Sequence, residues 1–304
     1  MACTDETAAV EFMEKQRWGD EPHCPHCGSK EIVKMTDGNG GRNKRFLWRC
    51  HNCKSQFTVR IGTVFEDSRI PLKMWCHAFW RACASKKGVS ALQISRECRI
   101  TYKTALFLMH RIRFAMSAPL IQDKLQGTVE ADETYVGGKP RAHSGINTKG
   151  YTGRGTRKTP VLALVQRNGN VRAHVIPNVT SKTLSEIMPR EIHKSARLMT
   201  DSFRSYRQIG PRFEGGHGVI QHDKGIYAIG DVYTNTVESF FALLKRGIYG
   251  TFHAVSKKHL HRYVDEFSFR WDTRHDNDGT RISKAIKRAE GKRLLYQEPI
   301  RRSA

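Results

Sequence analysis

Two groups of side chains in this sequence have types and spacings suited to chemistry. Four cysteines stand as two C-x-x-C pairs, Cys24-Pro-His-Cys27 and Cys50-His-Asn-Cys53, with 22 residues between the pairs. Each pair can close into a tight knuckle whose thiolates converge, and two knuckles complete a tetrahedral four-sulfur zinc site. Redox work needs one such pair and gives no reason for two at this spacing. The second group is acidic: Asp132 in TVEADETYV, Asp201 in ARLMTD and Glu238 in TNTVESFFALLKRGI, with Asn235 and Lys245 on the last stretch. Carboxylates are hard oxygen donors suited to Mg²⁺ or Mn²⁺. Two such ions can activate an attacking oxygen and stabilise a leaving one in phosphoryl transfer. Lys245 would offer a point charge to a phosphate.

The elements that must hold these groups can be read from periodicity. Over Thr234 to Ile248, Val237, Phe240, Phe241, Leu244 and Ile248 make one apolar helical stripe. Asn235, Glu238 and Lys245 fall on another face, with Glu238 and Lys245 roughly 20° apart in projection. Upstream, Thr128–Tyr135, Pro160–Gln166 and Val171–Ile176 read as strands, the last two joined by an Asn168-Gly turn. Thr180–Ile192 reads as a helix, and Ala196–Thr200 as a short buried strand ending at Asp201. Three strands, a helix, a fourth strand and then the Glu238 helix is the element order of an RNase H-like α/β domain. Strand alternation places Glu130 on the face of Asp132 and Glu133 on the opposite face, and both rank below Asp132 as ligands.

The N-terminal part has a different texture. One short helix is expected within the first 20 residues. Glu31–Lys34, Arg45–Arg49 and Gln56–Arg60 read as the three strands of a zinc ribbon that carries the cysteines, and His23, His26 and His51 are read as non-ligands. Residues 61–120 look helical. Leu72, Trp75, Phe79 and Ala82 form a core stripe. Ser90 and Thr101 are N-cap candidates for two helices separated by a short turn, the pattern of a helix-turn-helix. From its second helix Tyr102, Lys103, Arg111 and Arg113 are candidate nucleic-acid contacts, joined by Lys245 and Arg246 on the Glu238 helix. Cys76, Cys83 and Cys98 read as small buried side chains.

The expected divisions are therefore 1–62 (N-terminal helix and zinc ribbon), 63–120 (helix-turn-helix region), 121–280 (catalytic domain) and 281–304. The last stretch holds eight Lys or Arg against two Glu and is expected to be a basic, partly ordered tail. The insert Val136–Lys158 has six glycines, six Lys or Arg and no acidic residue, so it is expected as a mobile basic loop.

Composition narrows the partners. Lys plus Arg number 52 against 29 Asp plus Glu, a net charge of +23. A surplus of that size favours a polyanion, nucleic acid before membrane. No apolar run approaches the roughly 20 residues of a membrane span, and the acidic N-terminus lacks a signal-peptide core, so a cytoplasmic, nucleoid-associated protein is expected.

EADETYVGGK, TDSFRSY and YTNTVESFFALLKRGIYGTFH resemble the motifs of bacterial insertion-sequence DDE transposases of the ISXO-like group, over about residues 20–275. The resemblance implies an N-terminal zinc ribbon before an RNase H-like catalytic domain. It implies binding of transposon ends, cleavage of the DNA and transfer of the freed 3′-hydroxyl into target DNA by an oligomer assembled on that DNA. Asp132 and Asp201 match the first two metal ligands, and the third position is occupied by Asn235 or Glu238; the charge of Glu238 favours it. Tyr233 stands where the group often has His, and Asp272 where Asn is usual. The rival expectations are a DNA-binding regulator without strand transfer and a nuclease that cuts without joining.

Overall fold

The computed structural model describes residues 2–119, 122–138 and 158–296. The chain forms two compact units, one made of residues up to Ser117 together with those from Asp276 onward, the other of Ala118–His275.

In the first unit, helix α1 (Glu6–Trp18) starts at Asp5, whose carboxylate accepts the Ala8 N–H at 2.7 Å, and ends at Gly19 with φ of 62°. The ribbon follows as three antiparallel strands in sequence order, β1 (Ile32–Lys34), β2 (Trp48–Cys50) and β3 (Gln56–Phe57). Its small core is aromatic. Trp48 stacks on Phe57 with 6.4 Å between ring centroids, and Trp18 of α1 meets both edge-on. Glu14 of α1 accepts the Trp48 indole N–H at 2.6 Å and pairs with Arg42 at 2.6 Å, so the ribbon is fastened to α1 by polar contacts as well. The strand expected from Arg45 begins only at Trp48. Phe46 adopts φ of 54°, a left-handed turn that no strand accommodates.

Helices α2 (Leu72–Ala84), α3 (Ala91–Cys98) and α4 (Tyr102–Met116) complete the N-terminal part of this unit. Ser90 caps α3 through the Gln93 N–H, and Thr101 caps α4 through the Thr104 N–H. Between them Arg99 turns the chain in a left-handed conformation. Cys76, Cys83 and Cys98 are buried, as their apolar surroundings predict.

The second unit is built on a five-stranded sheet. Its strands are β4 (Thr128–Val136), β5 (Thr159–Gln166), β6 (Val171–Val175), β7 (Arg197–Asp201) and β8 (His217–Ile220), and their order across the sheet is β6-β5-β4-β7-β8. The first three run antiparallel in succession, while β7 and β8 lie parallel to β4. This is the RNase H-like arrangement, with β4 at the centre. Asn168, at φ of 57°, makes the tight β5–β6 turn that Asn-Gly predicts. β8 and the small hairpin of β9 (Ala228–Ile229) with β10 (Val232–Tyr233) were not legible from periodicity. They are two to four residues long, too short to show a period.

Helix α5 (Ser181–Glu191) covers one face of the sheet. Leu184 and Met188 pack there with Val129, Ala131, Leu162, Leu164 and Tyr206. Helices α6 (Asn235–Gly247) and α7 (Leu260–Asp272) cover the other, where Val237, Phe240 and Leu244 meet Val161, Ala163, Val165 and Phe267. Burial of each Val, Leu or Phe side chain contributes about 1.5–3 kcal/mol, so the α6 stripe alone anchors that helix firmly.

The stretch expected as a basic tail is, through residue 296, part of the first unit. Helix α8 (Asp278–Lys287) packs on α1, α2 and α4 and buries Ala285 and Ile286. Beyond it Gly291 N–H donates to Gly62 at 2.8 Å, and Ala289 accepts from Val64. Several of its cations serve the fold. Arg281 donates to the Cys83 carbonyl at 3.1 Å. The Lys292 ammonium donates to the carbonyls of Phe114, Ala115 and Ser117 at the C-terminal end of α4. Residues 297–304 of that stretch, and 139–157 of the basic insert, lie outside the described residues.

Candidate active site and zinc site

The four cysteines of the first unit come together as the spacing requires. Their sulfurs lie within 4.8 Å of one another, with Cys24 to Cys53 at 3.7 Å and Cys27 to Cys50 at 3.6 Å. A tetrahedral zinc with sulfurs at about 2.3 Å asks for sulfur–sulfur separations near 3.8 Å, so the donor set fits zinc. The two knuckles share one backbone design. Cys24 N–H donates to Ser29 and Cys50 N–H to Ser55, at 2.9 and 3.0 Å, and the residue after each second cysteine is left-handed, Gly28 at 73° and Lys54 at 62°. The neighbouring histidines stand outside the set, His23 edge-on to Trp18 and His26 to Phe57.

In the second unit the parallel register of β4 and β7 ends at Ala131 opposite Thr200. One residue further along, Asp132 and Asp201 stand side by side on neighbouring strands. Both point to the face covered by α6, because Val129, Ala131 and Leu198 point into the α5 core. The Asp132 carboxylate accepts its neighbour's Glu133 N–H at 2.7 Å, and Asp201 accepts the Phe203 N–H at 3.0 Å. Burial pushes the Asp132 carboxyl up to about 8, and the charges of Glu133, Asp201 and Glu238 add to that push. Glu133 itself turns to the opposite face, where its carboxylate accepts the buried Tyr206 hydroxyl at 2.9 Å.

Glu238 lies one turn into α6, half-exposed, with its carboxylate 3.5 Å from the His222 ring and 3.4 Å from the Thr234 hydroxyl. Asn235, the first residue of the helix, is exposed. Lys245 and Arg246 are exposed near its other end, where Lys245 helps to line a cavity of about 520 Å³ with Lys158, Tyr249 and His253. Among the described residues, the four cysteines are the one group of three or more donors within 4.8 Å. The three carboxylates are thus neighbours that repel one another without being drawn into a tight cluster.

The candidate contacts on α4 divide. Tyr102 and Lys103 are exposed at its N-terminus, whereas Arg111 and Arg113 are buried. The Arg111 guanidinium lies over Phe107 and donates to the Leu294 carbonyl at 3.3 Å. Arg111 and Arg113 are therefore withdrawn as nucleic-acid contacts. Arg111 reaches the segment after α8, whose return to this unit periodicity did not reveal.

Two family models match the two parts of this layout. The ISXO2-like transposase domain matches residues 124–272, and the transposase zinc-ribbon domain matches residues 4–56. The chain thus carries an ISXO2-like transposase domain behind a transposase zinc ribbon. It is similar to an uncharacterised protein in the transposable element ISH50 of Halobacterium salinarum, with 29% identity over 87% of this chain and 90% of that one. It is also similar to an uncharacterised transposase-like protein of Haemophilus influenzae, with 31% identity over 32% of this chain and 77% of the other. Among solved structures, the Mos1 strand transfer complex aligns at 10% identity and a TM-score of 0.28, covering 70% of this chain and 74% of the other.

One residue of this transposase has a place that its sequence rank did not foretell. Glu130, on the Asp132 face of β4, is fully buried and caps α6. It accepts the N–H groups of Thr236 and Val237 at 2.7 and 3.0 Å and the Thr236 hydroxyl at 2.8 Å. The formal N-cap, Thr234, makes no such side-chain bond. The negative charge also meets the positive end of the helix dipole. Arg167 closes the arrangement. It pairs with Glu130 at 2.7 Å, donates to the carbonyls of Asp231 and Tyr233, and lies 3.6 Å over the Tyr233 ring. Tyr233, one of the two departures from the group's usual residues, thus serves as a platform for that arginine. The other, Asp272, accepts the Val171 N–H at 2.9 Å and fastens α7 to β6. Alternation put Glu130 on the right face. Its capping partners lie 106 and 107 residues away, and no local pattern announces them.

Proposed function

We propose that this transposase binds the ends of its element, cleaves the DNA there and joins the freed 3′-hydroxyls to target DNA. In this reading Asp132, Asp201 and Glu238 would hold two Mg²⁺ or Mn²⁺ ions. The observation that carries it is the side-by-side placement of Asp132 and Asp201 on the face that α6 covers with Glu238. The raised Asp132 carboxyl supports the fit, because a carboxylate that burial and neighbouring acids keep from ionising is relieved by a cation. Bound there, the ions would supply an activated attacking oxygen and charge compensation at the leaving oxygen.

The chain's own groups have separate tasks. Asp132 and Asp201 come from rigid central strands and fix the site on the sheet. Glu238 is half-exposed and held only by the His222 ring and a long bond from the Thr234 hydroxyl, so it can turn toward the strands without leaving an apolar core contact. Asn235, one turn before it, orients Glu238 or a DNA phosphate. Lys245 and Arg246, on the exposed side of the same helix, bind backbone phosphates, as Tyr102 and Lys103 do from α4. The zinc ribbon is structural. DNA is the partner throughout, consistent with the net charge of +23 and with protomers assembling on the element ends.

The test is strand transfer with flanking element ends and Mg²⁺, for Asp132→Ala, Asp201→Ala, Glu238→Gln and Asn235→Ala, with end binding measured separately. The expected result is retained binding and lost joining for the first three. Joining by Glu238→Gln with none by Asn235→Ala would move the third ligand to Asn235. Joining by all four would end the DDE reading. Binding without any cleavage by the wild type would favour a regulator, and cleavage without joining a nuclease.

A further inference from the structure

The first unit holds a cleft of about 430 Å³ between the ribbon and the start of α2, bordered by Lys44, Arg45, Arg60, Arg69 and Lys73. Glu6 is the acidic residue among its lining, and its charge is already engaged. Its carboxylate accepts the N–H groups of Leu72 and Lys73 at 2.7 and 3.0 Å, at the first turn of α2, and lies 3.7 Å from Arg60. Among the described residues Lys44, Arg45, Arg69 and Lys73 have no carboxylate within ion-pair distance. Four unpaired cations around one concavity repel one another. Such a potential is an attraction for a polyanion and contributes nothing to the fold.

The cations are also held in place from below. Arg60 donates to the carbonyls of Ser68 and Ile70 at 3.2 and 3.0 Å and so fixes the loop that carries Arg69. On the opposite rim, Asn43 accepts the Arg45 N–H on its side chain and the Phe46 N–H on its carbonyl, each at 2.8 Å. That turn forces Phe46, which lines the cleft, to φ of 54°. A bulky residue in the left-handed region is strained, and such strain gathers where a loop must present side chains to a ligand.

We propose that this cleft binds the sugar-phosphate backbone of duplex DNA, with Lys44, Arg45, Arg69 and Lys73 as the phosphate contacts. The proposal rests on the reading of the protein as a DNA transposase and adds a contact surface on the ribbon side, separate from α3 and α4. Phosphate contacts fix the position of a protein on the duplex and carry no base information. Loss of them should therefore weaken binding on every sequence alike.

The experiment uses the full-length, zinc-loaded chain and fluorescence anisotropy across a salt titration. The probes are two labelled duplexes, one with the element end and one of random sequence. The variants are Arg45→Ala/Arg69→Ala and Lys44→Ala/Lys73→Ala. Lys30→Ala, a ribbon lysine outside the cleft paired with Glu21, serves as the control. Zinc content and melting temperature confirm that each remains folded. Each double variant should weaken both duplexes equally and flatten the salt slope by about two, one per lost contact, while Lys30→Ala leaves the slope unchanged. A folded double variant with an unchanged slope overturns the cleft, as does a loss confined to the element end. If the wild type binds neither duplex, the transposase reading fails together with it.

Discussion

The carboxylate of Glu130 accepts the Thr236 N–H at 2.7 Å, so the strand that carries Asp132 directly caps the helix that carries Glu238. The separation between the two candidate metal ligands is therefore set by a bond between their own elements. Glu130→Ala should leave two helix N–H groups and the Arg167 guanidinium without their carboxylate, which typically costs about 3–5 kcal/mol for a broken buried pair. Glu130→Gln keeps an oxygen acceptor and should fall between this variant and the wild type. Urea denaturation measures both; an alanine variant as stable as the wild type would show that the cap is idle.

The Asp132 carboxyl has a folded value of about 8 against an ordinary value of 3.8. A raised carboxyl binds its proton more tightly in the folded state. The stabilisation it gives is full below about pH 4 and is lost as pH rises toward 8. Metal-free protein should thus lose stability over that window. A divalent cation, which competes with the proton for these carboxylates, should restore more of it at pH 8 than at pH 5. Thermal melts with and without Mg²⁺ across pH check this, and Asp132→Asn should flatten the profile.

Metal analysis should find about one zinc per chain, because four thiolates complete a closed shell. Cys50→Ser should lose the metal. Chelation of the wild type should perturb tryptophan fluorescence, since Trp18 and Trp48 pack against Phe57 within the ribbon core. Undiminished zinc in Cys50→Ser would refute the site.

At Gly247 the last turn of α6 touches α7 so closely that an added Cβ would lie 1.9 Å from Phe267. Gly247→Ala should destabilise the second unit by about 1–3 kcal/mol through overpacking. Phe267→Leu added to it should recover part of that loss, a non-additivity that a double-mutant cycle detects. Simple additivity would mean that the contact is not the cause.

What the sequence determined alone is local or periodic. The knuckles follow from two residues between cysteines, the Asn168-Gly turn from a left-handed preference, and the α6 stripe from a 3.6-residue repeat. Alternation along β4 separated Glu130 and Asp132 from Glu133 because successive strand side chains point to opposite faces. What depended on partners distant in the chain was decided by tertiary packing. Periodicity gave the segment after Arg281 no core pattern, yet Lys292 ends α4 and α8 fills a groove among three helices; a ten-residue helix shows its apolar side only where others supply the rest of the core. Arg111 looked like a surface cation for the same reason, since its guanidinium is engaged by that returning segment. Asp132 and Asp201 were legible as acids at strand ends, but their adjacency required parallel pairing of β4 with β7 across 69 residues, a register fixed by the two faces of the sheet and by no spacing in the chain.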